Sequence, residues 1–236
     1  MVISFIVPAY NEERLLGATL DAIHAAARAC GEPHEVIVVD DASSDRTAEV
    51  AAAHGAGVVH GRCRQIAATR NAGARAARGD WLVFVDADTL IDATVLREAF
   101  DALRRGVVGG GAPVRFDGRV PAYARVLLVL LVWSFRLQRL AAGCFLFCTR
   151  AAFEAVGGWD EAYFGAEEVV LSRALKRQGR FVVLRAGVLT SGRKLRAYSG
   201  RELFSALWQV ARRGRRGVQQ REGLDLWYGE RRDDPP

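Results

Sequence analysis

Residues 80–89 read DWLVFVDADT, an apolar run that ends on two carboxylates one residue apart. Such a run predicts a strand that is buried on both faces of a sheet. In open α/β sheets, ligands bind in the crevice at the carboxyl ends of the strands. We therefore expect Asp86 and Asp88, which close this strand, to lie at a ligand site.

Three further apolar runs precede this stretch, and helical segments separate them. The predicted strands are VISFIVPA at 2–9, EVIVVDD at 35–41 and GVVH at 57–60. Continuous apolar strands alternating with helices indicate a mostly parallel central sheet with helices on both faces. The sequence thus predicts an α/β fold in which Tyr10, Asp41 and Asp86 follow neighbouring strands.

The second half of the chain is less regular. We predict strands at 106–116, 143–149 and 180–187, an apolar helix at 120–140, and a helix from Glu167 to about Gln178. No repeat or linker interrupts these elements, and 236 residues with 50% hydrophobic side chains suffice for one core. We expect one domain over residues 1–190 and a basic, amphipathic extension over 191–236.

The net charge of +6 is concentrated near the end of the chain, where Arg193 to Arg221 contains nine Lys or Arg and one Glu. Such a stretch suits phosphate groups or an anionic membrane face, and the alternative is a solvated tail. The apolar run at 126–133 is shorter than the roughly 20 residues of a spanning helix. It is expected to lie on a membrane, in the core or in a homodimer interface.

The start of the sequence predicts no signal peptide, because no basic segment and apolar run precede the first strand. The four cysteines have no C-x-x-C spacing, so we expect reduced thiols. Both observations favour a cytoplasmic protein. Peripheral contact with the inner face of the membrane is the open alternative.

The carboxylates Asp86 and Asp88 can supply oxygen ligands to a hard divalent cation, Mg²⁺ or Mn²⁺, together with phosphates and water. The alternative for them is a turn or a helix cap. A dehalogenase-type phosphatase motif does not fit, because Leu90 stands where that motif needs Thr or Val. A second carboxylate pair, Glu167 and Glu168, follows a loop rich in Gly and aromatic residues. It can provide a general base, or merely favour the start of a helix.

Four segments in this order resemble the motifs of family-2-type glycosyltransferases with the GT-A fold: IVPAYNEE at 6–13, EVIVVDDASSDRT at 35–47, RNAGARAARGDWLVFVDADT at 70–89 and GGWDEAYFGAEEVVLSRALKRQGR at 157–180. The resemblance covers about residues 2–185. It implies a nucleotide-sugar half at 1–92 and an acceptor half at 93–190. The implied reaction is a metal-dependent, inverting hexosyl transfer from a nucleoside-diphosphate sugar to a hydroxyl, with no nucleic-acid partner.

The resemblance also implies roles for single residues. Those expected around the nucleotide or its phosphates are Pro8, Tyr10, Glu12, Asp41 and Arg70. Asp86 is expected at the ribose or the metal, and Asp88 is expected to ligate the metal directly.

The sequence departs from the family pattern at two places. The family's base is the Asp of a Glu-Asp pair, and here the pair reads Glu167-Glu168, so either is the candidate base. Many relatives carry a histidine after the last core strand, but none follows His60, and Thr190, Ser191 and Lys194 occupy that region. These departures leave an inactive nucleotide-binding scaffold as an alternative. A nucleotidyltransferase fits less well, because PAYNEE replaces its Gly-rich loop. A lipid-linked acceptor is a further hypothesis.

Overall fold

The computed structural model describes residues 2–118, 133–193, 196, 215–222, 224 and 228. The strands in these ranges are β1 Ile3–Ala9, β2 His34–Asp41, β3 Gly57–Gly61, β4 Trp81–Val85, β5 Thr89–Leu90, β6 Gly109–Gly111, β7 Val114–Phe116, β8 Phe145–Thr149, β9 Phe181–Val183 and β10 Val188–Thr190. The helices are α1 Leu16–Cys30, α2 Thr47–Ala53, α3 Ile66–Ala76, α4 Ala93–Arg104, α5 Arg150–Ala155, α6 Glu167–Gln178 and α7 Arg215–Val218.

Seven strands form the central sheet in the order β3-β2-β1-β4-β8-β6-β9. Neighbouring strands are parallel except at β8, which is antiparallel to both β4 and β6. A small second sheet has the order β5-β10-β7. The predicted α/β fold with a mostly parallel central sheet is confirmed.

The sheet is buried on both faces, as its apolar strands predicted. Alternate side chains of a strand point to opposite faces, so Phe5 joins a cluster with α1 and α4, whereas Ile6 joins a cluster with α3, α5 and α6. Both residues are fully buried. The two helical layers hold β1, β2 and β4 rigidly side by side, which fixes the positions of the residues after their ends.

Helix α3 lies unusually close to the sheet at Gly73. A Cβ at this position would stand 2.4 Å from Ile6 Cγ2 and 2.9 Å from Val39 Cγ2, closer than side chains pack. Glycine therefore allows α3 to lie directly on β1 and β2. This close approach brings Arg70, one turn earlier in α3, under the ends of the strands.

Two predictions for the second half were wrong in detail. The strand predicted at 106–116 is two strands, since β6 pairs in the central sheet and β7 in the small one. The strand predicted at 180–187 ends at Val183, and β10 was not predicted. Of the helix predicted at 120–140, residues 133–138 are helical and residues 119–132 lie outside the described part of the chain. All four cysteines are free.

Candidate active site

The ends of β1, β2 and β4 meet at one edge of the sheet, because these strands are adjacent and parallel. A pocket opens at this edge. Its lining includes the predicted residues Pro8, Tyr10, Glu12, Asp41, Asp86 and Asp88. The structure thus brings together six of the nine predicted site residues around one cavity.

Arg70 connects this pocket to the start of α6. Its Nη2 donates to Asp86 Oδ1 at 2.8 Å and to the Gly143 carbonyl at 2.8 Å, and its Nη1 donates to Glu167 Oε1 at 2.9 Å. The guanidinium carbon also lies 4.5 Å from the centre of a Trp159 ring. Arg70 therefore fixes the relative positions of one carboxylate from β4 and one from α6.

The environment of Arg70 keeps it charged. Burial lowers the pKa of the guanidinium, but the neighbouring carboxylates Asp86 and Glu167 raise it by more. The side chain is only 2% exposed, so its guanidinium is buried behind Asp86 and Glu167 and holds these two carboxylates in place. The predicted contact of Arg70 with the base or phosphates stays a prediction, and this placement does not favour it.

The two glutamates of α6 occupy different environments. Burial raises the pKa of Glu167, and Arg70 opposes this shift. Burial also raises the pKa of Glu168, and the adjacent Glu167 raises it further. A backbone hydrogen bond to the Glu168 carboxyl and the charge of Arg70 oppose this rise in the pKa. The Glu168 side chain lies beside Gly143, since its carboxyl carbon is 3.7 Å from the position that a Cβ of residue 143 would occupy. Glu167 is therefore the ion-pair partner of Arg70, and which of the two glutamates acts as the base stays a prediction.

Asp41 shapes the wall of the pocket. Its Oδ1 accepts from the Cys63 amide at 2.7 Å, and its Oδ2 accepts from the Gln65 amide at 3.2 Å and the Thr69 hydroxyl at 2.9 Å. These bonds hold the loop before α3 in place. Both carboxylate oxygens are engaged by the protein, so the predicted contact of Asp41 with the nucleotide stays a prediction.

The loop held by Asp41 also covers Tyr10. The guanidinium carbon of Arg64 lies 3.6 Å from the centre of the Tyr10 ring, within the range of a cation–π contact. Arg64 and Tyr10 both line the pocket. A flat cationic group over an aromatic ring forms a wall that suits a planar base or a phosphate.

Asp88 faces a different set of partners. Its Oδ1 accepts from the Thr190 hydroxyl at 3.3 Å, and its Oδ2 lies 3.3 Å from Arg193 Nη2. Arg193 also forms an ion pair with Glu12. The segment that follows β10 is thereby attached to the residues that follow β1 and β4.

The donor set fits a hard divalent cation. Within the described ranges, no three His, Cys, Asp or Glu side chains stand together as a metal cluster. Asp86 and Asp88 would therefore provide one or two carboxylates, and phosphates and water the remaining ligands, which is the usual arrangement for Mg²⁺. Such a site needs no histidine after β10.

A family model described as glycosyl transferase family 2 matches residues 4–152, more than half of the chain. The chain belongs to this family. An uncharacterized glycosyltransferase of Mycobacterium tuberculosis is 36% identical over 139 residues, 58% of this chain and 60% of the relative. An undecaprenyl-phosphate 4-deoxy-4-formamido-L-arabinose transferase of Pseudomonas paraeruginosa is 38% identical over 154 residues, 59% of this chain and 41% of the relative. The chain thus spans under two thirds of the length of these family members.

Solved structures show the same fold. A mannosyltransferase from Pyrobaculum calidifontis, in complex with GDP-Man and Mn²⁺, superposes with a TM-score of 0.65 at 22% identity, over 92% of this chain and 62% of that one. Residues 1–349 of Staphylococcus aureus TarS, in complex with UDP-GlcNAc, give 0.63 at 20% identity, over 91% of this chain and 67% of that one. These likenesses confirm the predicted GT-A fold.

Sequence reasoning missed three residues of this family-2 site. In the sequence, Arg193 is one of nine basic residues in the stretch from Arg193 to Arg221, and nothing distinguishes it from the others. Trp159 was seen only as a member of an aromatic loop. Tyr228 lines the pocket and accepts a hydrogen bond from the Ile66 amide at 3.4 Å, and no sequence signal pointed to it.

The basic extension is described only in part. Val218 accepts hydrogen bonds from the Phe164 amide at 2.7 Å and the Gly165 amide at 3.1 Å, and Leu224 is buried. Most of the segment 193–221 and of the apolar run at 126–133 lies outside the described residues. In the part of the chain that is described, no helix has the length and apolar character needed to span a membrane.

Proposed function

We propose that this chain transfers a hexosyl group from a nucleoside-diphosphate sugar to an acceptor hydroxyl, with inversion at the anomeric carbon. One observation carries the proposal: Asp86 after β4 and the glutamate pair of α6 are joined through the buried Arg70. This network connects Asp86, a proposed metal ligand, with the helix that carries the proposed base, which supports the proposal. The bound GDP-Man and UDP-GlcNAc of the two solved relatives support the choice of donor class.

The donor is expected in the pocket at the strand ends. Pro8, Tyr10, Glu12 and Asp41 line the part where the nucleoside would lie, with the Tyr10 ring against the base. Asp86 and Asp88 line the part where the diphosphate would lie. In the proposed complex, the anomeric carbon faces the start of α6.

Asp88 and Asp86 are the residues that would hold a divalent cation, Mg²⁺ or Mn²⁺. Bound there, the cation would stabilise the negative charge of the departing diphosphate as a Lewis acid. The Mn²⁺ in the mannosyltransferase structure supports this assignment. Arg70 contributes by holding Asp86 Oδ1, so that the other oxygen of Asp86 keeps a fixed direction.

Glu168 is the proposed general base. It removes the proton of the acceptor hydroxyl as the hydroxyl oxygen bonds to the anomeric carbon. The bond from that carbon to the diphosphate oxygen breaks, and the nucleoside diphosphate leaves with the bonding electrons. Attack on the face opposite the leaving group inverts the anomeric configuration.

The test compares Glu168→Gln with Glu167→Gln. The first variant should bind donor like the wild type and lose transfer by about 10²- to 10⁴-fold, as expected when a general base is removed. The measurements are donor affinity by calorimetry and nucleoside-diphosphate release in the presence of Mn²⁺ or Mg²⁺. If Glu167→Gln loses transfer and Glu168→Gln does not, the base is Glu167. A wild-type chain that binds nucleotide but neither hydrolyses nor transfers the sugar is the inactive scaffold instead.

For the acceptor, we propose a sugar hydroxyl of a lipid-linked saccharide, reached from the cytoplasmic face of a membrane. The name of the Pseudomonas relative supports this acceptor class. Trp133, the last residue of the apolar run, and Leu137, one turn later, expose 70% and 77% of their surface, as a membrane-facing segment would. Labelled sugar should enter the organic phase when vesicles that carry an undecaprenyl-linked sugar with free hydroxyls are supplied. Transfer to water-soluble acceptors alone would contradict the proposal.

A further inference from the structure

Arg193 lies between two carboxylates of the donor pocket that come from different strands. Its Nη2 is 3.3 Å from Asp88 Oδ2, and it also forms an ion pair with Glu12. The arginine is 16% exposed, Asp88 equally so, and Glu12 only 4%. Charge-assisted hydrogen bonds of this kind are stronger than neutral ones. Arg193 is therefore held against two carboxylates that line the pocket.

The segment that carries Arg193 is fixed to the same carboxylate. The Thr190 hydroxyl donates to Asp88 Oδ1 at 3.3 Å, and the Ser191 amide donates to the Asp88 carbonyl at 3.1 Å. Because these bonds hold residues 190 and 191 against Asp88, the side chain of Arg193 can reach the Asp88 carboxylate. The position of Arg193 is therefore set by the backbone that follows β10.

The guanidinium occupies the place where the proposed function needs a different cation. A divalent cation would use Asp88 as a ligand, and two cations do not share one carboxylate oxygen without strong repulsion. A guanidinium is also well shaped to bind a diphosphate, because its planar fork of donors matches phosphate oxygens. Arg193 thus has two alternative partners in one pocket.

We propose that Arg193 is a positioning and donor-binding residue with two states. Before donor binds, it competes with the divalent cation for Asp88; when the cation takes Asp88, Arg193 moves to the diphosphate of the donor. This inference rests on the proposed function, since it takes Asp88 as the metal ligand.

The experiment measures Mn²⁺ affinity and nucleoside-diphosphate affinity separately, by calorimetry, on the full chain. In Arg193→Ala, Mn²⁺ alone should bind several-fold more tightly than to the wild type, because the competitor is gone. UDP or GDP, whichever the wild type binds, should bind about tenfold more weakly in saturating Mn²⁺, because a charge-assisted contact is lost. Mn²⁺ should also raise the Tm of the variant by more than that of the wild type.

Arg196→Ala is the matched control. Arg196 lies three residues further on and pairs with Asp117 at 3.0 Å rather than with Asp88, so its loss should leave both affinities unchanged. Arg193→Lys keeps the positive charge but loses the planar fork of donors. Its Mn²⁺ affinity should therefore be close to that of the wild type, whereas its nucleoside-diphosphate affinity should stay lower. This variant also serves if Arg193→Ala does not fold.

The outcomes separate this inference from the proposed function. If Asp88→Ala abolishes Mn²⁺ binding and the Arg193 variants match the wild type in both affinities, Asp88 is the ligand and the role of Arg193 is refuted. Weaker Mn²⁺ binding in Arg193→Ala would also refute it. If Asp88→Ala leaves Mn²⁺ binding intact, the proposed metal site itself is wrong, and the inference falls with it.

Discussion

Arg70 joins the two halves of the site through contacts with Asp86, Glu167 and the Gly143 carbonyl. The sequence predicted Arg70 as a site residue near the base or phosphates. It could not predict that the guanidinium faces inward, because the direction depends on the packing of α3 against β1 and β2. The resemblance of its motif to the family pattern indicated a site residue, and the tertiary structure shows which residues Arg70 contacts.

Glu168 should make the stability of the protein depend on pH. Burial and Glu167 raise its pKa in the folded state. Its neutral form therefore stabilises the fold below the ordinary carboxyl pKa of about 4.3, and this contribution is lost as the pH rises through the raised value. Glu168→Gln, which stays neutral, should become progressively more stable than the wild type as the pH rises from about 4.3 to about 8, and the difference should level off above that.

Urea unfolding of both proteins across this pH range measures the difference in the free energy of unfolding. Glu49→Gln is the control, because Glu49 is exposed on α2, and its curve should follow the wild type. A constant difference between Glu168→Gln and the wild type at every pH would contradict the prediction.

At the level of elements, the first four strands and the helices between them were predicted well, because each is a continuous apolar run or a helix that follows one. The direction of β8 was not predictable in the same way. Its sequence, FLFCT, is as apolar as that of a parallel strand, and only its pairing between β4 and β6 shows that it runs antiparallel. Strands of two or three residues, such as β5 and β10, give too short a pattern to detect.

The close packing of α3 should make Gly73 intolerant of any side chain. In Gly73→Ala, the new methyl group would collide with Ile6 and Val39. We expect a loss of about 1–3 kcal/mol in the free energy of unfolding, the usual cost of overpacking a core. Gly57→Ala is the control, since its Cβ would meet nothing closer than the Val36 carbonyl at 3.8 Å. Equal stabilities for the two variants in urea unfolding would show that α3 packs less closely than described.

Across the whole molecule, residues near position 220 pack beside the pocket at the strand ends, and Tyr228 lines it. Val218 bonds to Phe164 and Gly165 in the loop before α6, and Tyr228 packs edge-on against Phe164 at 5.8 Å between ring centres. The sequence predicted a separate basic extension over 191–236, and that boundary stays a prediction. The contacts of Val218 and Tyr228 join residues that are more than 50 positions apart in the sequence. A local sequence pattern cannot predict such contacts.

Tyr228 should therefore influence nucleotide binding from a distance of more than a hundred residues in sequence. Tyr228→Ala removes an aromatic wall of the pocket, and we expect nucleoside-diphosphate affinity to fall by about threefold to tenfold. Gln220→Ala, an exposed change in the same segment, should have no effect. Calorimetry on both variants makes the comparison, and unchanged affinity in Tyr228→Ala would show that the end of the chain takes no part in binding.

The most direct test of the account is the Mn²⁺ dependence of nucleoside-diphosphate binding in the wild type and in Asp88→Asn. The substitution keeps the size of the side chain and removes its charge. We predict that UDP or GDP binds the wild type only when Mn²⁺ or Mg²⁺ is present, and that Asp88→Asn loses this binding while remaining folded. Nucleotide binding that is equally tight without the metal, or that survives in Asp88→Asn, would contradict a diphosphate site built on Asp86 and Asp88.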